Sequence, residues 1–255
     1  MCYNSSVNEG IPISQELQRR RELRDNYLVP IFITWTSDVP VNEGNAALQG
    51  VVDAVEASGQ RRDVVVTGSV PLEDPAKPYS SPDWYVQEAF KRQRVTRSEG
   101  FGPQVDVAEF LYLFEHEPYQ ENPHWEVFIV NNDLAIRDEV NHFPFVLGTT
   151  STGLHASVES VSRLLKVYPE SDLRYAVFRR VVRHEMGHMF GIPSRQLNVI
   201  GMHCANECTM SGPPSNFLDL AAISLKDERD QDFFCQDCKN DFALLQPKYK
   251  PLPQP

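Results

Sequence analysis

Two histidines four residues apart, with a glutamate between them, are the feature of this 255-residue chain whose types and spacing most clearly allow chemistry. In the sequence His-Glu-Met-Gly-His at 184–188, both imidazoles fall on one face of a helix, about 5–6 Å apart at Cβ, so they can reach one zinc ion. Glu185 points to the side of that face, where it can act as a general base toward a metal-bound water. Two ordinary histidines around a helical glutamate are the alternative for so short a pattern.

Residues after this motif favour the metal interpretation. Gly191 follows His188 by three residues and allows the chain to turn sharply beneath a metal, and His203 can supply a third nitrogen. A catalytic zinc ion needs three protein ligands and one open position. The sequence therefore predicts metal-assisted hydrolysis, with Glu185 as the base.

Four of the five cysteines lie close together near the end of the chain, whereas Cys2 stands alone. The spacings Cys-x₃-Cys at 204–208 and Cys-x-x-Cys at 235–238 favour a tetrahedral zinc site. Two disulfides are an alternative that requires an oxidising compartment, and small buried hydrophobic side chains are another.

The ordered combination of these motifs resembles the archaemetzincins, a family of metzincin-type zinc metallopeptidases. The family has His-Glu-x-x-His-x-x-Gly, then His-Cys, then Cys-x-Met, then Cys-x-x-Cys. This chain has the same order at 184–191, 203–204, 208–210 and 235–238. Together with a looser likeness around Gly148, the resemblance covers roughly the last 120 residues. The third histidine departs from the family spacing, because Ser194 occupies its usual place and His203 comes nine residues later.

The resemblance implies a role for each matching residue. The catalytic zinc would be held by His184, His188 and His203, with Glu185 as the base. Met210 would form an apolar floor beneath these ligands, and the strand at Gly148 would form the upper rim of a substrate cleft. A second, structural zinc, giving two zinc ions per chain, would be held by Cys204, Cys208, Cys235 and Cys238.

The elements that must position these residues follow from hydrophobic periodicity. Apolar runs predict strands at 28–35, from 64 and at 125–130, and helical spacing predicts helices at 44–58 and 105–115. The Pro- and Ser-rich stretch 71–83 is expected to be loop, and 143–161 is expected to form one or two strands with a tight turn. The predicted fold is therefore α/β, with a mixed twisted sheet and the metal helix below a cleft.

The metal helix is the clearest local prediction. Ser171 and Asp172 offer an N-cap, apolar positions recur from Leu173, and Gly191 predicts the end of the helix. The chain is expected to divide into four parts. These are a polar segment at 1–25, an α/β subdomain at 26–191, a small subdomain held together by the cysteine-bound zinc at 192–247, and a Pro-rich, disordered tail at 248–255.

Composition limits the function classes. There are 24 Lys and Arg residues against 35 Asp and Glu, a net charge of −11, which argues against nucleic-acid binding. With no long apolar run and no signal-peptide core, we expect a cytoplasmic protein that binds no membrane. We expect a monomer whose partner is a peptide or protein substrate. A catalytically inactive zinc-binding scaffold and an interaction module built on the Cys₄ site remain alternatives.

Overall fold

The computed structural model describes residues 15–70, 81–93, 96–98, 100–116, 123–137, 142–194 and 203–252. In chain order, its helices and strands are α1 (Gln15–Asn26), β1 (Ile31–Trp35), α2 (Val41–Ser58), β2 (Val64–Gly68), α3 (Pro82–Arg92), β3 (Thr96–Ser98), β4 (Gly102–Asp106), α4 (Val107–His116), β5 (Trp125–Val130), β6 (Asp133–Arg137), β7 (His142–Val146), β8 (Gly148–Ser151), β9 (Ala156–Ser160), α5 (Ser162–Val167), α6 (Ser171–Phe190), α7 (Phe217–Asp230), α8 (Gln236–Leu245) and a 3-10 turn (Gln246–Lys248).

The larger sheet is mixed and has the strand order β2-β1-β5-β9-β8. Strands β2, β1, β5 and β9 are parallel, and β8 joins antiparallel to β9 at one edge. Every residue of β5 is buried, as expected for a central parallel strand covered on both faces. The second sheet, β3-β4-β6-β7, is also mixed. The predicted α/β fold with a mixed sheet is confirmed.

Two hydrophobic cores lie on opposite faces of the larger sheet. One core joins β1 and β5 to helices α2 and α6, and it includes Val51, Val127 and Val182. The other contains Phe110, Phe114 and side chains from the opposite face of β5. Because successive strand residues point to opposite faces, β5 contributes to both cores.

Helix α6 carries the candidate chemistry and runs from Ser171 to Phe190. Gly191 ends it with φ 88°, a left-handed conformation that glycine adopts without strain, and this confirms the predicted end. The start differs in detail, because Glu170 occupies the N-cap position and no side chain caps the helix there.

Four further details correct the sequence predictions. The end of the predicted loop at 71–83 belongs to helix α3, while residues 71–80 lie outside the described ranges. The helix predicted from Val105 begins at Val107, after strand β4. The 143–161 segment contributes three strands rather than one or two. The expected disorder of the tail is wrong at its beginning, because Tyr249 is buried and Lys250 pairs with Tyr27.

None of the described helices combines the length and the hydropathy needed to cross a bilayer. Cys2 lies outside the described residues. The subdomain boundaries at 25, 191 and 247 stay predictions.

Candidate active site

Three histidines converge at one point beside helix α6. One ring nitrogen from each of His184, His188 and His203 lies within 4.8 Å of those of the other two. The ring centroids of His184 and His188 are 4.6 Å apart, and His203 stands 5.1 and 5.3 Å from them. The helix supplies the first two residues, and the segment that begins at 203 supplies the third.

Main-chain carbonyls determine which ring nitrogen carries the proton in each of the two helical imidazoles. Nδ1 of His184 lies 2.7 Å from Thr209 O, and Nδ1 of His188 lies 3.1 Å from Ile192 O. A carbonyl oxygen only accepts hydrogen bonds, so each Nδ1 carries the proton and each Nε2 presents a lone pair. Such bonds orient the imidazoles that bind metal ions.

The two lone pairs face each other in a way that fits a metal ion. Nε2 of His184 lies 3.1 Å from Nε2 of His188, so without a cation between them the lone pairs repel. Two nitrogens at about 2.0–2.1 Å from a tetrahedral zinc ion would be about 3.3 Å apart. Burial lowers the pKa of His184 to about 3, and burial also lowers the pKa of His188 well below its usual value. Both rings are therefore neutral at pH 7, as metal binding requires.

Glu185 lies beside the histidines and is held by strand β8. Thr150 Oγ1 donates a hydrogen bond to Glu185 Oε2 at 2.7 Å and lies 3.0 Å from the Glu185 carbonyl. A Cβ added to Gly148 would stand 2.9 Å from Glu185 Cγ and 3.2 Å from Oε1. Glycine at 148 thus leaves the space in which the Glu185 side chain lies against the strand.

Met210 lies directly beneath the histidine helix and is fully buried. A Cβ added to Gly187 would come within 2.9 Å of Met210 Cε and closer still to Sδ. The side chain of Met210 therefore occupies the position expected for an apolar floor, at the level of the turn that joins His184 to His188.

The four clustered cysteines form a second group. Their sulfurs lie within 4.8 Å of one another, with 3.6 Å between Cys204 and Cys235 and 3.9 Å between Cys208 and Cys238. All four are free thiols, so the structure favours the metal interpretation over two disulfides. Sulfurs at about 2.3 Å from a tetrahedral zinc ion would be about 3.8 Å apart, which matches both distances.

Hydrogen bonds adjust the charge of this thiol group. A hydrogen bond from Cys238 lowers the pKa of Cys208 to about 5, and the same bond raises the pKa of Cys238. Burial raises the pKa of Cys204 to about 11. The main-chain N–H of Asn206 points at Cys204 Sγ and its Nδ2 points at Cys235 Sγ, each at 3.4 Å. Donors placed in this way stabilise metal-bound thiolates.

A cleft of about 490 Å³ opens above the histidines. Strand β8 borders it through Gly148, and the segment 211–217 borders it on another side. His184, Glu185 and His203 line the cleft, together with apolar side chains that include Val181, Phe217 and Leu220. The arrangement can bring a bound chain over the histidine group and beside the Glu185 carboxylate.

No family model and no curated protein matches the sequence. Among solved structures, the fold is similar to the archaemetzincin from Methanopyrus kandleri, with a TM-score of 0.54 over 87% of this chain and 95% of that chain. This chain has an archaemetzincin-like fold. At 19% identity, the similarity concerns the fold, and the roles of individual residues have to be argued from the geometry.

Within the archaemetzincin-like fold, the structure brings together each residue predicted for the site. The three histidines form one group and the four cysteines another, with Glu185, Gly148 and Met210 around the first. The late position of His203 in the sequence does not prevent it from reaching the other two histidines. Metal binding at these residues and the role of Glu185 as a base stay predictions.

Sequence reasoning missed a buried ion pair that connects the two groups. Arg180 donates to Asp227 and to the carbonyl of Cys208, the latter at 2.7 Å. Asp227 also accepts from Thr209 Oγ1 at 3.2 Å, and Thr209 provides the carbonyl that fixes His184. Because Arg180 and Asp227 lie 47 residues apart, no local pattern could reveal the pair.

Proposed function

We propose that the chain is a zinc-dependent peptidase that hydrolyses peptide bonds. The observation that carries the proposal is the convergence of three imidazole nitrogens beside the Glu185 carboxylate in a cleft bordered by an edge strand. The archaemetzincin-like fold supports this interpretation. An acidic chain with this cleft suits a peptide or protein substrate better than a nucleic acid.

His184, His188 and His203 would hold the catalytic zinc, which when bound supplies a Lewis acid that makes water nucleophilic near neutral pH. Glu185 removes the proton from the attacking water. Because Thr150 donates to Oε2, we assign this proton transfer to Oε1. The water oxygen bonds to the peptide carbonyl carbon, and Glu185 passes its proton to the amine nitrogen as the C–N bond breaks.

Strand β8 provides the means of aligning an extended substrate. It is the last strand of its sheet in the described part of the chain, and its first residue, Gly148, lines the cleft while the rest of the strand is buried, so a peptide backbone would pair at the Gly148 end. Gly148 begins this strand next to Glu185, so a peptide paired there passes the proton-transferring carboxylate. The apolar side chains of the cleft would contact the substrate side chains.

The two cysteine pairs would hold a structural zinc close to the active site. His203 and Cys204 are adjacent, and the N–H of Cys204 donates to the Met210 carbonyl at 2.7 Å. A metal ion bound by the thiols would therefore help to fix the third histidine and the floor residue.

The test is cleavage of a peptide library by the purified, zinc-loaded chain, compared with Glu185→Gln. We expect kcat to fall by about 10²- to 10⁴-fold with zinc content unchanged, because Gln cannot accept the proton. Glu170→Gln, an exposed position before the same helix, is the matched control and should retain full activity.

Two outcomes would support the alternatives. A protein that holds both metal ions but cleaves no peptide would be an inactive zinc scaffold. A protein that holds metal only at the cysteines would be an interaction module, and nucleic-acid binding at low salt would identify its partner.

A further inference from the structure

A second buried carboxyl group lies next to Glu185, and neither the sequence motifs nor the proposed mechanism uses it. Glu159 is the fourth of the five residues of β9 and is fully buried. Neither of its carboxyl oxygens makes a hydrogen bond of normal geometry among the described residues. Buried carboxyl groups normally find partners, so this one calls for an explanation.

Strand register places Glu159 on the side of the sheet that faces α6. Glu159 pairs with Gly148 across β8 and β9, and directly paired residues present their side chains on the same face. On that face, the space beside Gly148 is filled by the Glu185 side chain. Thr150, two residues further along the same face, donates to Glu185. Glu159 and Glu185 therefore lie side by side, across the position where Gly148 has no side chain.

Glu126, on the neighbouring strand β5, shows what a satisfied buried carboxylate looks like in this sheet. One of its oxygens accepts from Thr34 Oγ1 and the other lies 3.0 Å from His124 Nε2. Glu126 pairs with β9 at Ala156, so its side chain lies on the opposite face from Glu159. Among the described residues, only the side chain of Ser157 lowers the pKa of Glu159, and the desolvation of an ionised carboxylate there outweighs it, so the neutral acid is favoured.

The electrostatics agree with the geometry. Burial raises the pKa of Glu159 well above its usual value, Ser157 acts in the opposite direction, and the charges of Glu185 and Glu126 raise the pKa further. A neutral carboxyl group has one proton to donate. Both oxygens of Glu126 are already engaged, whereas the Glu185 carboxylate accepts a hydrogen bond from Thr150 on Oε2 and can accept another.

We propose that Glu159 is a positioning residue: a neutral carboxylic acid behind Glu185 that keeps the Glu185 carboxylate turned toward the cleft. Thr150 holds that carboxylate from strand β8, and Glu159 holds it from strand β9. The inference rests on the proposed function for its catalytic consequence, but the pairing of the two carboxyl groups can be measured without any peptide cleavage.

The first experiment compares the infrared spectra of the full, zinc-loaded chain and its variants. We expect a carbonyl stretch of a protonated carboxylic acid that disappears in Glu159→Gln and shifts in frequency in Glu185→Gln. The exposed control Glu170→Gln should leave the band in place. Absence of the band, or a band unmoved by Glu185→Gln, would overturn the proposal.

The second experiment separates positioning from packing by steady-state kinetics of the zinc-loaded enzyme. Glu159→Leu fills the same space without a donor, and we expect kcat to fall by about 10- to 100-fold with KM and zinc content unchanged. Glu159→Gln keeps a neutral donor and should stay within a few-fold of wild type. If Glu159 only filled space, kcat of the Leu variant would be at least as high as kcat of the Gln variant. A Leu variant with wild-type kcat would refute the positioning role.

The two experiments also keep the two proposals apart. A chain that shows both infrared results but cleaves no peptide would refute the peptidase function and leave the pairing of Glu159 with Glu185 established. A chain that cleaves peptides but lacks the protonated-acid band would support the peptidase function and refute the pairing of Glu159 with Glu185.

Discussion

Met210 fills the space that a side chain on Gly187 would need. A Cβ at Gly187 would meet both Sδ and Cε of Met210, the latter at 2.9 Å. The glycine between the two helical histidines therefore lets the helix approach its apolar floor. Elsewhere in a helix, glycine costs about 0.5–1 kcal/mol relative to alanine, so its presence here reflects this contact.

Gly187→Ala should destabilise the chain in spite of the better helix propensity of alanine. We expect a net loss of about 1–3 kcal/mol in the free energy of unfolding, because the added methyl group must displace Met210. Urea denaturation measures the loss. Gly153→Ala is the control, since a Cβ there meets nothing within 4 Å, and equal stability of the two variants would contradict the close packing.

Metal analysis should give two zinc ions per chain. His184→Ala/His188→Ala is expected to lower the count to one by removing two ligands of one site, and Cys235→Ser/Cys238→Ser should remove the other ion. His116→Ala changes an exposed histidine far from both groups in sequence and should keep two. A single zinc ion in the wild-type chain would show that one of the two groups binds no metal.

Arg180→Met should destabilise the chain strongly, because it leaves the Asp227 carboxylate buried without its cationic partner. Removal of one partner from a buried pair costs about 3–5 kcal/mol. Zinc affinity at the histidines should also fall, since Arg180 holds both the Cys208 carbonyl and Asp227, the acceptor of the Thr209 hydroxyl, next to the carbonyl that fixes His184. Arg229→Met, which disrupts an exposed pair with Asp230, should change neither the denaturation midpoint nor the zinc affinity.

His155 should make stability depend on pH. It is buried, stacks on Trp125 at 4.4 Å, and burial lowers its pKa below 6.5. As the pH falls below about 6.5, the unfolded chain binds a proton that the folded chain does not, so the free energy of unfolding decreases. The contribution of neutral His155 to the free energy of unfolding is fully present above about pH 6.5. It is lost as the pH falls toward the lowered pKa of His155 in the folded chain.

His155→Asn removes the titrating group, and asparagine tolerates the left-handed conformation at this position, where φ is 48°. Denaturation midpoints at pH 7.5 and pH 5.5 should differ less in the variant than in the wild type. The comparison between the two proteins isolates His155, because the other histidines titrate in both. Equal differences would argue that His155 is not buried in its neutral form.

The sequence predicted those parts of the site that depend on local spacing. Periodicity and Gly191 located α6, and an apolar run located β5 with its bounds. Helix α3 was missed because its start lies in a Pro- and Ser-rich stretch, although Pro82 at the first helical turn is itself a start signal.

The parts that were missed depend on contacts between distant segments. The Thr209 carbonyl that fixes His184 is a backbone atom and leaves no mark in residue types. Glu159 is visible in the sequence as an acidic residue within the β-favouring stretch at 156–161, but its role depends on which strand lies opposite. Register and tertiary pairing supply that information, and residue spacing does not.

The two ends of the connection between Gly191 and His203 are tied to separate anchors. Ser194 donates from its N–H and its hydroxyl to the Asp241 carboxylate at 2.7 and 2.6 Å, and Cys204 is tied to Met210. The number of residues between these anchors can therefore change over evolution, or by deliberate insertion, without shifting the imidazole. A search pattern that demands a fixed interval before the third histidine would pass over such chains.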